Sequence, residues 1–178
     1  MTIQIDSREK SKAIEAIVKD FDENGVQHFT SKLYVGDYMS LDNPRLVIDR
    51  KQNLFELANN VSSVPKKEKD GRIKKDANGK PMTELQRFTR ELRRAKEAGI
   101  HVIVLCEHSR KIRKLEDVRH WVNPRLKVSP LTMSGERLYT VLSMLTKTYN
   151  FEVLFCEKAR TGAEIRRLLG GTSNAGQI

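Results

Sequence analysis

Two short apolar runs in the second half of the chain constrain the fold most. Residues 100–106 (IHVIVLC) and residues 151–156 (FEVLFC) are almost continuously apolar. A strand with one face in water alternates apolar and polar residues, whereas a nearly continuous run is typical of a strand buried on both faces. The chain therefore needs a central sheet with helices covering both of its sides.

Helical and extended segments alternate along the rest of the chain. The order is strand, helix, hairpin strands, helix, buried strand, helix, strand, helix, which predicts an α/β fold with a central mixed β-sheet flanked by helices. No internal repeat and no second domain boundary interrupts this order. We therefore predict a single domain over residues 1–170 and a flexible tail over residues 171–178.

One segment departs from the pattern. Residues 62–82 have no apolar period, several turn-forming residues and many lysines, which predicts a mobile loop inserted within the domain. Its cations would contact the phosphates of a nucleic acid, together with Arg87 in the next helix, unless the loop is simply solvated. The basic residues of this predicted contact are Lys66, Lys67, Lys69, Arg72, Lys74 and Lys75.

The overall charge points to a polyanionic partner. The 178 residues carry a formal net charge of +10, with a sequence pI near 9.7. Such a basic excess on a folded domain favours nucleic acid. The chain opens with charged residues instead of a signal peptide, and no apolar run is long enough to span a membrane, so we expect an intracellular, cytoplasmic protein with no membrane partner.

The segment VIDRK, residues 47–51, places charges at the end of an apolar strand. Because side chains alternate along a strand, Asp49 and Lys51 share one face and Arg50 points to the other. The preceding Gly-Asp, ending at Asp37, is predicted to lie on the other arm of a hairpin. Two carboxylates suit Mg²⁺, which prefers few protein ligands and several waters, and a lysine beside them suits phosphodiester hydrolysis.

A plainer interpretation stays open at this point. Asp49 and Lys51 would then be solvated charges at a strand end, and Asp37 would form an Asx turn. A short motif such as Asp-x-Lys occurs often by chance, so the surrounding sequence has to decide.

Four ordered motifs resemble the nuclease domain of the XPF/Mus81 (ERCC4-type) endonucleases. They are IQIDSRE at residues 3–9, VGDY at 35–38, DRK at 49–51 where the family has Glu-Arg-Lys, and RFTRELRRAKEAGIHVIVLCE at 87–107. The resemblance covers roughly residues 3–108. It implies the restriction-endonuclease-like fold of the PD-(D/E)XK superfamily.

The resemblance also implies a function and an active site. It implies a metal-dependent, structure-selective endonuclease that cuts branched or single-strand-containing DNA, with Asp37 and Asp49 as ligands of Mg²⁺ or Mn²⁺ and Lys51 as the catalytic lysine. The residues that would complete the site are Arg50, Arg8, Asp6 and Glu9. Family members commonly dimerise through this domain, so a homodimer is a further hypothesis. A short stand-alone nuclease domain of this kind resembles what a phage or mobile element would carry.

Three positions depart from the family pattern. Asp49 is one methylene shorter than the family's Glu, and Glu91 stands where relatives often have Gln. Phe55 occupies a position where the family carries an acid, with Glu56 beside it. Two alternatives therefore stay open, a DNA-binding module with a decayed nuclease site and an RNA nuclease.

Overall fold

The computed structural model describes residues 1–108, 111–129 and 132–170, and these residues build a mixed sheet flanked by helices. The order across the sheet is β2-β1-β3-β4-β5-β6. Strand β3 runs antiparallel to both of its neighbours, and the remaining pairs are parallel. The strands are β1 (Thr2–Asp6), β2 (Gln27–Ser31), β3 (Tyr38–Ser40), β4 (Asn43–Lys51), β5 (His101–Glu107) and β6 (Glu152–Cys156). The α/β class with a central mixed sheet is confirmed.

Helices cover both faces of this sheet. They are α1 (Ser11–Glu23), α2 (Leu54–Asn60), α3 (Glu84–Glu97), α4 (Gly135–Tyr149) and α5 (Thr161–Gly170). Short 3-10 helices occupy Leu115–His120, Pro124–Lys127 and Lys158–Arg160.

The core divides into two clusters, one on each side of the sheet. Helices α1 and α5 pack on the face that carries Ile48 of β4, and helices α2, α3 and α4 pack on the face that carries Val47. Strand β5 is buried on both faces because Val104 joins one cluster and Leu105 the other. This is the arrangement that its continuous apolar run predicted.

Local sequence sets where the helices beside β4 begin. Asn53 caps α2 by accepting a hydrogen bond from the Glu56 backbone N–H at 2.8 Å. Thr83 and Gln86 form a reciprocal capping box at the start of α3. A side chain that accepts from the first unpaired backbone N–H groups stabilises a helix start by about 1 kcal/mol. Both helices therefore begin at defined positions beside the end of β4.

Strand β4 continues three residues beyond its apolar part. It extends to Lys51, and Asp49, Arg50 and Lys51 are all buried, with exposed fractions of 8%, 4% and 7%. The charges of VIDRK therefore lie inside the protein and are not solvated at a strand end. This rules out the plainer interpretation of Asp49 and Lys51.

The basic insertion is more regular than the sequence predicted. Its backbone folds back twice, through turns that contain Gly71 and Gly79, both with positive φ. Three short segments then pair in a closed triangle: Lys66 N–H donates to Met82 O, Met82 N–H to Lys74 O, and Lys74 N–H to Lys66 O, each at 2.8 Å. Glycine permits turns of this kind without a steric penalty, which a search for apolar periodicity does not detect.

Two expectations concern the ends and the surroundings of the domain. The tail predicted over residues 171–178 lies outside the described residues. Within the part of the chain that the structure describes, no helix has the length and apolar character needed to cross a bilayer.

Candidate active site at the end of β4

Asp37, Asp49 and Lys51 meet where β4 ends. The Lys51 ammonium lies 2.6 Å from Asp49 Oδ1. Asp37 immediately precedes β3, and its Oδ2 accepts a hydrogen bond from the Arg50 backbone N–H at 2.7 Å. The β3–β4 hairpin thus brings the two carboxylates to one place, as the sequence predicted.

Gly36 makes this approach of the two strands possible. Its φ is +72°, and a Cβ at this position would lie 3.1 Å from Ile48 O and 3.2 Å from the Val47 side chain. A larger residue would be strained in this backbone conformation and would push Asp37 away from β4. The glycine of VGDY is therefore a geometric requirement of the hairpin.

The two carboxylates raise each other's electrostatic energy. Burial raises the pKa of Asp37 well above its ordinary value of 3.8, and the nearby Asp49 raises it further, while Lys51 opposes both effects. Burial acts to lower the pKa of Lys51, but the charges of Asp49 and Asp37 outweigh it and raise that pKa. One ammonium thus faces two carboxylates and is hydrogen-bonded to only one of them, Asp49.

The remaining carboxylate oxygens fit a divalent cation. No described residue donates a hydrogen bond to Asp37 Oδ1 or Asp49 Oδ2. Mg²⁺ commonly uses one or two carboxylates and completes its shell with waters and substrate phosphate oxygens. Among the residues described, no cluster of three or more His, Cys, Asp or Glu side chains could hold a metal ion. Asp37 and Asp49 therefore match the sparse ligand set of Mg²⁺ or Mn²⁺ more closely than a closed structural metal site.

Arg50 lies on the opposite face of β4. It is 2% exposed in its side chain, donates to Glu9 Oε2 through Nε (3.2 Å) and Nη2 (2.9 Å), and donates to Glu107 Oε1 through Nη1 (2.8 Å). The hydroxyls of Tyr38 and Thr161 donate to the same two glutamates at 3.3 and 3.1 Å. The structure therefore brings the predicted site residues Arg50 and Glu9 together. They lie on the face of β4 opposite to Asp49 and Lys51.

Asp6 and Arg8 form a separate pair that supports the Asp37 loop. The Asp6 side chain is fully buried and accepts from Arg8 Nε at 2.6 Å and from Leu33 N–H at 2.7 Å. Burial acts to raise the pKa of Asp6, but these hydrogen bonds outweigh it and lower that pKa. Asp6 N–H also donates to Asp37 O at 2.8 Å. Asp6 thus fixes the position of Asp37 through the backbone.

Three acidic residues near the site fell outside the predicted set. Glu107 pairs with Arg50, and its signal in the sequence was the same as that of VIDRK, a charge at the end of a buried strand. Glu91 Oε1 accepts from the Gly36 N–H at 3.4 Å, beside Asp37. Glu56 Oε2 accepts from the Gln52 N–H at 2.8 Å, so this carboxylate belongs to the start of α2.

Phe55 stands where the resemblance placed an acid. Its ring lies 4.2 Å from the Arg125 guanidinium carbon, a cation–π contact. The position therefore supplies an aromatic face in place of a carboxylate.

The predicted DNA-contacting cations divide into two groups. Lys66 pairs with Glu84, Arg72 with Asp70 and Lys74 with Glu68. Arg87 donates to Glu84 Oε2 at 2.8 Å and to Asn60 Oδ1 at 3.0 Å, and its charge also interacts with Asp49. No ion pair within the described residues involves the remaining three, Lys67, Lys69 and Lys75.

Comparison with known families gives one match along most of the chain. The sequence profile of the ERCC4 domain matches residues 5–166. No curated protein matches the chain.

Two solved structures share the fold. XPF from Aeropyrum pernix is 17% identical, with a TM-score of 0.60. The same protein in a complex with DNA is 18% identical, with a TM-score of 0.57. Each match covers 95% of this chain and 63% of the other, so this chain spans less than two thirds of the proteins it resembles in structure.

Proposed function

We propose that this chain, which belongs to the ERCC4 domain family, is a metal-dependent endonuclease that hydrolyses phosphodiester bonds in branched or single-strand-containing DNA. The observation that carries the proposal is the meeting of Asp37, Asp49 and Lys51 at the end of β4, with two carboxylate oxygens free of protein donors. We further propose that residues 1–170 act as one nuclease domain with a basic insertion, and that the active form is a homodimer.

The site has the parts that hydrolysis of a phosphodiester requires. A Mg²⁺ or Mn²⁺ ion held by Asp37 and Asp49 would lower the pKa of a bound water and stabilise negative charge on the phosphate. Lys51 is held in place by Asp49 and keeps its proton because the acidic surroundings raise its pKa. Its ammonium would neutralise the phosphate and orient the attacking water.

The residues around Asp37, Asp49 and Lys51 would position the substrate strand. Arg87 lies near Asp49 and is half exposed, so its guanidinium can contact a phosphate beside the one that is cut. Asp6 and Glu91 hold the backbone on either side of Tyr34 and keep Asp37 in register with β4. Arg50, with Glu9 and Glu107, holds the end of β4 from behind.

A cleavage assay tests the proposal directly. Wild type, Lys51→Met and Asp37→Ala are incubated with end-labelled duplex, single-stranded, flap, fork and four-way DNA in Mg²⁺, Mn²⁺ or EDTA. We expect the wild type to cut only with a divalent ion and both variants to lose cutting by at least about a hundredfold, as for removal of a charged catalytic group. Lys147→Met, an exposed lysine in the last turn of α4, is the matched control and should cut like the wild type. Retained cutting by Lys51→Met would remove this site assignment.

One observation favours a second candidate, a DNA-binding module without catalysis. Phe55 replaces an acid of the family pattern, and the neighbouring Glu56 is engaged at the start of α2. This candidate predicts salt-sensitive DNA binding with no cutting in any metal by the wild type or by any variant. An equivalent RNA panel in the same assay separates a DNA nuclease from an RNA nuclease.

A further inference from the structure

An exposed aromatic side chain lies on the loop that delivers Asp37. Tyr34 precedes Asp37 by three residues and is 58% exposed, although its neighbours Leu33 and Val35 are buried at 6% and 1%. Single exposed aromatics are common on protein surfaces and need no explanation on their own. Tyr34 differs from them in lying three residues before Asp37, beside the candidate active site.

The loop around Tyr34 is fixed on both sides. Before it, Leu33 N–H donates to the buried Asp6 carboxylate at 2.7 Å. After it, Gly36 N–H donates to Glu91 at 3.4 Å and Asp37 N–H donates to Ile48 O at 2.7 Å. The aromatic ring is therefore presented to solvent from a rigid backbone, and little conformational entropy remains to be lost when it binds a partner.

Arg94 of α3 supports the tyrosine from the protein side. Its guanidinium carbon lies 5.2 Å from the ring centroid, and its Nη2 lies 3.5 Å from the Tyr34 carbonyl oxygen. Its Nε is buried and has no hydrogen-bond partner among the described residues. The arginine thus covers one side of the Tyr34 ring, and the remaining surface of the ring is exposed to solvent.

The same face of α3 passes the candidate active site. Arg87, Glu91 and Arg94 are spaced four and three residues apart, so they lie on one face of the helix. Arg87 interacts with Asp49, Glu91 contacts the loop at Gly36, and Arg94 contacts Tyr34. The two arginines are seven residues apart, about 10 Å along the helix axis, and Glu91, which contacts the loop at Gly36, lies between them in the sequence. Helix α3 thus presents one cation to Asp49 and another to Tyr34.

We propose that Tyr34 is a stacking platform for an unpaired DNA base next to the phosphate that is cut, with Arg94 holding the ring and neutralising the neighbouring phosphate. A base inside a duplex has both faces covered by its neighbours, whereas an unpaired base offers a face to an aromatic ring. The platform therefore selects DNA with a single-stranded segment at the cut site. The position of the base relative to the cut rests on the proposed function, whereas the binding of the base to Tyr34 does not.

A binding experiment without metal tests the platform apart from catalysis. Fluorescently labelled single-stranded oligonucleotide and blunt duplex of the same length are titrated with protein in EDTA at fixed salt. We expect Tyr34→Ala to weaken binding of the single strand about tenfold, which is typical for loss of one stacked base, and to leave duplex binding unchanged. Tyr34→Phe should bind both DNAs like the wild type, because stacking does not need the hydroxyl.

The chain offers a matched control in a second tyrosine–arginine pair. Tyr139 of α4 lies 3.9 Å from the Arg119 guanidinium carbon, on an element that does not carry the candidate site. Tyr139→Ala should leave the ratio of single-strand to duplex affinity unchanged, and thermal unfolding of each variant checks that it is folded.

The possible results separate the platform from the proposed nuclease. Equal weakening of single-strand and duplex binding in Tyr34→Ala, or no weakening of either, overturns the platform. A wild type that binds no single strand overturns it as well, and leaves the proposed nuclease standing if that protein still cuts flap, fork or four-way DNA. A selective loss in Tyr34→Ala supports the platform even if the wild type cuts nothing, a result that would refute only the nuclease.

Discussion

The two faces of the end of β4 hold their charged residues in different ways. On the side of α1 and α5, Arg50 is almost fully enclosed and makes three hydrogen bonds to Glu9 and Glu107. On the side of α2 and α3, Lys51 faces Asp49 and Asp37, and two carboxylate oxygens have no protein donor. Each face thus sets one cation against two carboxylates. Arg50 bonds both of its glutamates, although Glu107 Oε2 is buried without a partner among the described residues, whereas Lys51 is hydrogen-bonded to Asp49 alone.

Neighbouring residues of one motif thus divide their roles. A buried ion pair with well-placed hydrogen bonds holds its members in one geometry. A partly buried carboxylate that no cation bonds, such as Asp37, is unfavourable until a cation binds, so the pair of Asp37 and Asp49 is a poor structural element and a suitable ligand site. Alternation along a single strand is enough to place the two kinds of site back to back.

Removal of Arg50 should give the largest change in stability. Arg50→Met leaves the buried Glu107 and the half-buried Glu9 without their cation, and we expect the free energy of unfolding to fall by about 3–5 kcal/mol. Lys51→Met should cost less, because added Mg²⁺ or Mn²⁺ can neutralise Asp49 and Asp37 in place of the ammonium. Urea unfolding of both variants, with and without metal, measures the difference. Equal losses, or a rescue of Arg50→Met by metal, would contradict the division of the two faces.

Much of this arrangement could be predicted from local sequence. The alternation of VIDRK assigns Asp49 and Lys51 to one face and Arg50 to the other, and the Gly-Asp of VGDY predicts the hairpin that brings Asp37 close. The buried strand β5 follows from its continuous apolar run. Each of these features depends on residues near one another in the chain, where periodicity and turn chemistry carry the information.

The partners of Arg50 could not be predicted in the same way. Glu107 lies 57 residues from Arg50, and Glu9 lies 41 residues from it, so their contact depends on the order and register of the strands. The role of Asp6 is another case, because its bond to Leu33 depends on the parallel pairing of β1 with β2. The order within the basic insertion was missed because it rests on backbone hydrogen bonds and glycine turns and not on apolar contacts.

Substitution of Asp37 should change stability by a smaller amount and in the opposite direction. Asp37→Asn removes a charge that burial and Asp49 make unfavourable, so the metal-free protein should gain a few degrees in its unfolding midpoint while losing cleavage. A carboxyl with a raised pKa makes the folded state less stable as the pH rises from its ordinary value of 3.8 towards the raised one. The advantage of the variant should therefore grow with pH across that interval.

Thermal unfolding in EDTA at several pH values measures this effect, with Asp49→Asn as the control. That substitution removes the direct partner of Lys51, so it should lower the midpoint. In a second set of scans with Mn²⁺ in place of EDTA, the midpoint of the wild type should rise and the midpoints of both variants should change little. A loss of stability in Asp37→Asn would show that its carboxylate is a structural group like Glu107.

The basic insertion offers a related contrast between lysines with and without an ion-pair partner. Each single substitution there should have the smallest effect of the changes considered. Lys67, Lys69 and Lys75 make no ion pair among the described residues, whereas Lys66 and Lys74 are paired with glutamates. Each unpaired lysine changed to Gln should reduce the slope of log affinity against log salt for duplex DNA by about 0.9.

Lys66→Gln and Lys74→Gln should change that slope less, because these lysines already have a protein partner that a phosphate would have to displace. Binding isotherms at four salt concentrations in EDTA give the slopes. If the paired lysines changed the slope as much as the unpaired ones, ion pairing in the free protein would not decide which cations meet the phosphates. The insertion would then bind DNA through its total charge, and its folded triangle would serve only to hold the lysines near the end of β4.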